Sequence, residues 1–556
     1  MKRKKNITTL CAVYLTLCII FSFFCNPLIT CSAQSGPIFE PLVYPGEAVT
    51  AFKEEMLDRV STGPDYVSNR GYEENGLYMS PYWSCEIEGK DVPVYAVMSY
   101  NEDVNSGVLQ SVVTIFVQDF ADGIDITLFQ KTSQIDSAVI LPLKLGAVAC
   151  VKENSVGFTA TKVGSYTCLI NDDSLNNAIT VFVKEYTDEN AEISEYINQY
   201  GEDRVKVFPA GFYETEYIDT SDCDVIYFCR GSFISAKHIY DVRSDEEASA
   251  LPHRNTFLDI YSRNGFIIDG SGTIDFNRLD RNERSLMNVS FCKSCNLSGL
   301  TFINPPIWTV TVYATSDSTI DDFTIFGYRT NSDAINICGC ENMEIANCFA
   351  RNGDDCYSVK TTNADFDAKN ITFKNCIGWS NKCRCFGITG EVYAPIENIT
   401  FTDCDVLYRN ANWDNNKVAS LTVAVEMGGA PIENVLFEDI NIYRDDGRAF
   451  YCTVNNDIKN CKISGIVFRN VTYNSAERSK IASIQSLNDS ETEFKAFIYR
   501  LLSFFFPMCE GNFSHLIPGN NDIEVKLENV IANGRKLNPF NLIFNIETKG
   551  NENISF

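Results

Sequence analysis

From about Asn296 onward, apolar and polar residues alternate in a phrase that recurs along the chain, as in Asn370-Ile371-Thr372-Phe373-Lys374-Asn375-Cys376, Asn398-Ile399-Thr400-Phe401-Thr402-Asp403-Cys404 and Asn434-Val435-Leu436-Phe437-Glu438-Asp439-Ile440. Ile345, Phe373, Phe401, Phe437 and Phe468 fill one slot of the phrase at separations of 28, 28, 36 and 31 residues, and Leu297, Ile320 and Ile345 at 23 and 25. Short alternating runs are strands, and a period of this size means one coil of short strands per repeat, each coil hydrogen-bonded to the next. Propeller blades need periods near 40, and leucine-rich repeats need a leucine spacing that is absent, so the pattern predicts a parallel β-helix. Residues in excess of the shortest period belong to loops on the binding face.

Earlier in the chain the rhythm differs. Between Phe39 and Tyr186, runs such as Val112-Val113-Thr114-Ile115-Phe116-Val117 and Ala178-Ile179-Thr180-Val181-Phe182-Val183 alternate with Gly, Asn and Asp turns. This predicts a β-sandwich, with Thr161 to Cys168 reading like the late strands of an immunoglobulin-like module. Ile193, Tyr196, Ile197 and Tyr200 lie on one side of a predicted helix over 191–200, placed to cap the open first coil. The expected order is a signal peptide at 1–33, a sandwich at 34–186, the β-helix at 187–476, a helical cap or lid at 477–517, and final β-helix strands at 518–556. The fold class is therefore all-β.

The start of the chain has a basic segment from Met1 to Lys5, an apolar run from Leu10 to Phe24 and small residues at Ser32-Ala33, the layout of an export signal. A secreted or cell-surface location follows, with no later run long enough to span a membrane. The net charge of -27 excludes an electrostatic footprint for nucleic acid. Of 22 cysteines, four fall in the signal region. Cys348, Cys376 and Cys404 recur every 28 residues and read as a stacked interior column of small apolar fillers. Cys338-Gly339-Cys340 and Cys383-Arg384-Cys385 lack partner pairs at zinc spacing, and the chain has three histidines, so no metal and no cofactor is expected.

Two phrases break the repeat: Asn331-Ser332-Asp333-Ala334 and Gly353-Asp354-Asp355-Cys356. Asp333 and Asp355 are 22 residues apart, one coil, which sets them about 5 Å apart along the axis and crowds three carboxyls into one patch. Like charges at that distance cannot all ionise, so one keeps its proton while another stays charged, the division that glycoside hydrolysis requires. Asp321-Asp322 and Asp445-Asp446 are read instead as turn residues. Trp308 precedes Asp333 by about one coil and Trp379 and Trp413 follow the aspartates; each is either a sugar platform or a core residue.

The two phrases resemble the Asn-Thr-Asp-Gly and Gly-Asp-Asp motifs of the polygalacturonase family of glycoside hydrolases, and the resemblance extends from about Val205 to Asn470. It implies Asp354 as general acid, Asp333 and Asp355 as joint activators of water in an inverting displacement, and Asn331, Lys360, Trp308, Arg384 and Glu426 as substrate-binding residues. The family's Gly-His-Gly and Arg-Ile-Lys are absent; the matching stretches read Cys383-Arg384-Cys385-Phe386-Gly387 and Leu421-Thr422-Val423-Ala424-Val425-Glu426. Those missing cations grip a sugar carboxylate. The dextranase and isopullulanase group is similar in two respects, a sandwich before the helix and three aspartates serving neutral glucans. The expected partner is a polysaccharide or oligosaccharide acted on by a monomer. A polysaccharide lyase and a non-catalytic glycan-binding β-helix are the competing readings.

Overall fold

A computed structural model describes residues 39–53, 74–101, 106–120, 122–171, 178–238, 256–410, 418–445, 447–455, 457–475, 482–485, 521–541, 546–549 and 552–556. The expected signal at 1–33 lies outside the described residues, as do Trp413 and most of the segment expected to form a lid. Within that last segment, Ala482–Gln485 is a strand paired with Phe450–Val454.

The chain from Val205 onward forms a right-handed parallel β-helix. A coil contributes two short strands to a 22-stranded sheet and one to a ten-stranded sheet, except that Ile432–Asp445 and Lys462–Ser475 each run through both positions as one strand. The slots read from the sequence are the ones that stack. Leu297 pairs with Ile320, Ile320 with Ile345, and Ile345 with Phe373, Phe401, Phe437 and Phe468 in turn. The last four rings lie nearly parallel at centroid distances of 4.8, 4.9 and 4.9 Å. That distance is the rung spacing of a parallel sheet, so identical side chains in register must stack face to face.

Asn and Asp occupy the corners because the chain there turns with positive φ, which these residues tolerate better than other non-glycine types. Asn342, Asn370, Asn398 and Asn434 all do so, and each amide donates to the residue one coil before it. Asp321 belongs to a parallel ladder, accepting from Asn347, which in turn accepts from Asn375. Asp445 is no surface turn residue but a wholly buried partner of Arg409, at 2.7 Å. Cys348, Cys376 and Cys404 are buried thiols in one interior column, and the described cysteines are all free.

Residues 39–185 form two facing sheets, one of seven strands and one of five. Most pairings are antiparallel, but Ile179–Glu185 runs parallel to Ser106–Val117. The helix Glu189–Tyr200 follows, capped by the Asp188 carboxylate, which accepts from the Asn190 and Ala191 amides. Its half-buried side carries Ile193, Tyr196, Ile197 and Tyr200 and rests on the first coils, where Tyr196 donates to Asp269 and Tyr227 donates to Glu192. Among the described residues no helix is long and apolar enough to cross a membrane.

Candidate active site

The ten-stranded sheet presents its outer face as a groove. Its strands Val310–Tyr313, Ile335–Cys338, Tyr357–Thr361, Phe386–Val392 and Leu421–Gly428 stack in register. Two residues before the first four of these strands stand Trp308, Asp333, Asp355 and Arg384, so the four occupy one column on successive rungs. Backbone bonds fix the column: Thr309 donates to the Asp333 carbonyl, Ala334 to that of Asp355, and Cys356 to that of Arg384.

The two motif loops are tied to each other below the surface. The buried Ser332 hydroxyl lies 2.6 Å from the Arg329 carbonyl and 2.8 Å from Asn352 Oδ1. Asn352 Oδ1 also accepts from the Gly353 amide, and its Nδ2 donates to the Asp355 carbonyl. Gly353 is required because a Cβ there would meet the Tyr328 carbonyl oxygen at 2.3 Å. These contacts explain the small and polar residues flanking the aspartates in both phrases.

The three carboxyls differ in surroundings. Asp333 is 3% exposed and accepts from Asn336 Nδ2 at 3.2 Å and Lys360 Nζ at 3.3 Å. Asp355, equally buried, faces Ser358 at 3.4 Å and Arg384 Nη1 at 3.3 Å. Asp354 is half-buried and accepts the Asn331 and Asp355 amides at 2.9 and 3.0 Å. Burial raises Asp354, and the neighbouring Asp355 charge raises it further. Burial raises Asp333 to about 8; Lys360 opposes this, while the Asp354 and Asp355 charges add to it. Asp355 goes the other way: burial pushes it up, but Arg384 and Lys360, with hydrogen bonds from Cys383 and Thr389, hold it below the ordinary aspartate value.

Both cations of the site are spoken for. Lys360 lies 3.3 Å from Asp333 and 3.5 Å from Glu391, with its ammonium 4.2 Å from the Trp308 ring centroid. Arg384 bridges Asp355 and Glu426. Glu391 and Glu426 reach these positions through register shifts that add two residues and one residue, respectively, to one strand against its neighbour. Asn331 contributes its backbone amide, its side chain being exposed. Trp308 is half-buried beside a cavity of about 250 Å³. Trp379 is fully buried, with Arg351 over its ring at 4.0 Å, and is a core residue rather than a sugar platform.

Sequence reasoning missed Asn336, Ser358, Thr389 and Glu391. Asn336 and Ser358 each stand three residues after a column aspartate, an offset visible in the sequence; Glu391 depends on a strand irregularity that leaves no sequence signal. Two groups among the described residues place three ligand-type atoms within 4.8 Å of one another: Asp354, Asp355 and Cys383, and, earlier in the β-helix, His238, Asp280 and Glu283. In the first, Arg384 already supplies the positive charge.

Fold and site together define a parallel β-helix protein with an aspartate cluster in the groove of one sheet. Residues 264–495, which include every site residue named above apart from His238, match the family model described as Glycosyl hydrolases family 28. That match covers less than half of the chain and supports reading it as a divergent relative of the polygalacturonases. It is 26% identical over 161 residues to exopolygalacturonase B of Aspergillus niger, covering 27% of this chain and 35% of the relative. To a probable exopolygalacturonase B of Aspergillus fumigatus it is 24% identical over 247 residues, covering 39% and 52%. The chain thus spans between about a third and a half of the length of these curated relatives. Among solved structures, Dex49A from Penicillium minioluteum has the same fold, with a TM-score of 0.59 at 10% identity over 93% of this chain and all of that one.

Proposed function

We propose that this protein is a secreted glycoside hydrolase that cleaves O-glycosidic bonds of an extracellular polysaccharide or its oligosaccharides with inversion, Asp354 acting as general acid. The observation that carries the reading is the contrast between two adjacent carboxyls: Asp355 is buried with Arg384 at 3.3 Å, which helps hold it down, whereas Asp354 is half-buried on two backbone amides and is pushed up. A protonated carboxyl open to the groove beside a charged, cation-anchored one is the pair needed to protonate a leaving oxygen and deprotonate water. Asp355 is the water-activating base. Burial holds the proton of Asp333 up to about pH 8, against the pull of Lys360, so below that pH it stands beside the water as a neutral hydrogen-bonding group. Arg384 and Lys360 are positioning residues that keep Asp355 charged, and Glu426 and Glu391 orient them.

The test is Asp354→Asn, assayed by release of reducing ends from a panel of neutral and uronic glycans, with product anomers followed by NMR. The expected result is a loss of turnover of roughly 10²–10⁴-fold with unchanged melting temperature. Undiminished turnover, or a product of retained configuration, overturns the assignment.

A further inference from the structure

The cavity next to the aspartates differs in chemistry from the site itself. Its volume is about 250 Å³, and it lies over the rungs just N-terminal to Asp333, bounded by Asn288, Ser290, Trp308, Thr311, Tyr313 and Cys338 among others. Among the described residues none that lines it is charged. Asn288 and Thr311 pair in register on the outer face of the sheet and, with Ser290, pave the floor with small polar side chains. Trp308 forms a wall, and the Lys360 ammonium against its ring is already flanked by Asp333 and Glu391.

On the opposite side of the cavity from Trp308, Tyr313 begins a second aromatic surface. Tyr313 meets Phe291 at 5.4 Å, Phe291 meets Tyr261 at 5.6 Å, and Phe366 lies 5.5 Å from Tyr313. Tyr261 is 61% exposed and Phe291 44%. Large rings left open on successive coils lose the free energy of burial unless something covers them. The apolar face of a sugar ring fits such a row, while its hydroxyls reach the paved floor.

Resting on the hydrolase reading, we propose that this cavity is a sugar subsite for a neutral, uncharged glycosyl unit, and that the protein does not take a uronate there. Among the described residues a carboxylate at this position would meet Lys360 alone, already flanked by Asp333 and Glu391, in a chain of net charge -27. Hydroxyls need only the donors and acceptors that line the space.

The experiment uses full-length Asp354→Asn protein, so that binding is read without turnover. Tryptophan fluorescence and calorimetry are recorded with α-1,4-galactotriose, isomaltotriose and xylotriose, and with trigalacturonate, which differs from the first only at C6. The expected result is saturable binding of at least one neutral trisaccharide, more than tenfold tighter than trigalacturonate. Trp308→Ala, made in the same background, should weaken that binding on the order of tenfold while leaving the fold intact. Tighter binding of trigalacturonate, absence of binding by every neutral probe, or neutral binding unaffected by Trp308→Ala overturns the subsite. Neutral binding by Asp354→Asn with no hydrolysis of the same sugars by the unaltered protein leaves the subsite standing and defeats the hydrolase reading instead.

Discussion

A single proton distributed between Asp354 and Asp355 sets how this site should respond to pH. The base must be charged, and Arg384 and Lys360 hold Asp355 low, so activity rises at a pH below the ordinary aspartate range. The acid must be protonated, and burial beside Asp355 holds Asp354 high, so the falling limb lies above that range. A pH profile of kcat/KM should therefore be bell-shaped, and Arg384→Gln should shift the rising limb upward; a limb that stays put shows that Arg384 does not govern the base. Asp333 adds a stability effect of opposite sign to that of most carboxylates. Its folded pKa, about 8, exceeds the roughly 3.9 of an unfolded chain, so between these values the unfolded state sheds the proton first and stability falls as pH rises. Asp333→Asn removes that dependence. Its melting temperature should match the unaltered protein near pH 4 and exceed it increasingly towards pH 8. Each pH unit crossed is worth about 1.36 kcal/mol, so the gain in unfolding free energy reaches at most about 5 kcal/mol. Parallel thermal curves across that range would show that Asp333 is ionised throughout.

One coil of the helix is an element that repeats, and its core is the column of phenyl rings at Phe373, Phe401, Phe437 and Phe468. Phe401 is fully buried between two of these rings and also touches Phe386 of the groove sheet, at 6.0 Å. Phe401→Ala leaves a void that neighbouring rungs cannot close, because their spacing is fixed by the ladders. The expected cost is about 3–5 kcal/mol in denaturant unfolding. A cost below about 1 kcal/mol would mean that the coils can slide together. This column was legible in the sequence because every coil must point one residue inward at the same place, which writes the register as a period. The aspartates were legible for the same reason, being one coil apart. The amide ladder through Asn370, Asn398 and Asn434 was visible only as a polar residue opening each phrase, since its positive φ is a property of the corner and not of the letter. Glu391 and Glu426 were harder: register shifts of two residues and one residue turned them into the groove, and the competition between strand pairing and loop length that decides such shifts involves three coils at once.

Across the whole molecule, the sandwich and the β-helix share a core of their own. Leu77, Tyr95, Val97, Val112 and Phe182 of the sandwich pack on Phe233, Ile303, Phe326, Phe349, Ile377 and Trp379, which the 22-stranded sheet presents on its outer face. Alternation in the sequence assigns such residues to a buried face without saying that the second cover is another domain, so this contact could not be read in advance. Polar links surround it. Lys144 pairs with the buried Asp405 at 2.8 Å, Lys184 with Asp322 at 2.7 Å, the Gly76 amide donates to Asp275 at 3.0 Å, and Arg351 reaches Gln110. An apolar seam of this kind couples the unfolding of the two parts, because separating them exposes aromatic rings on both sides. Calorimetry of the full chain should give one transition whose calorimetric and van't Hoff enthalpies agree. Phe182 is the ring to disturb: it sits edge-on to Phe326 and Phe349 at 6.2 and 5.2 Å. Phe182→Asp replaces an apolar ring of that seam with a charge, and should split the transition in two, the sandwich melting first while the groove and its aspartates persist to the higher temperature. A variant that still unfolds in a single step at a lower temperature would show that the sandwich is part of the β-helix's own folding unit rather than a separable cover.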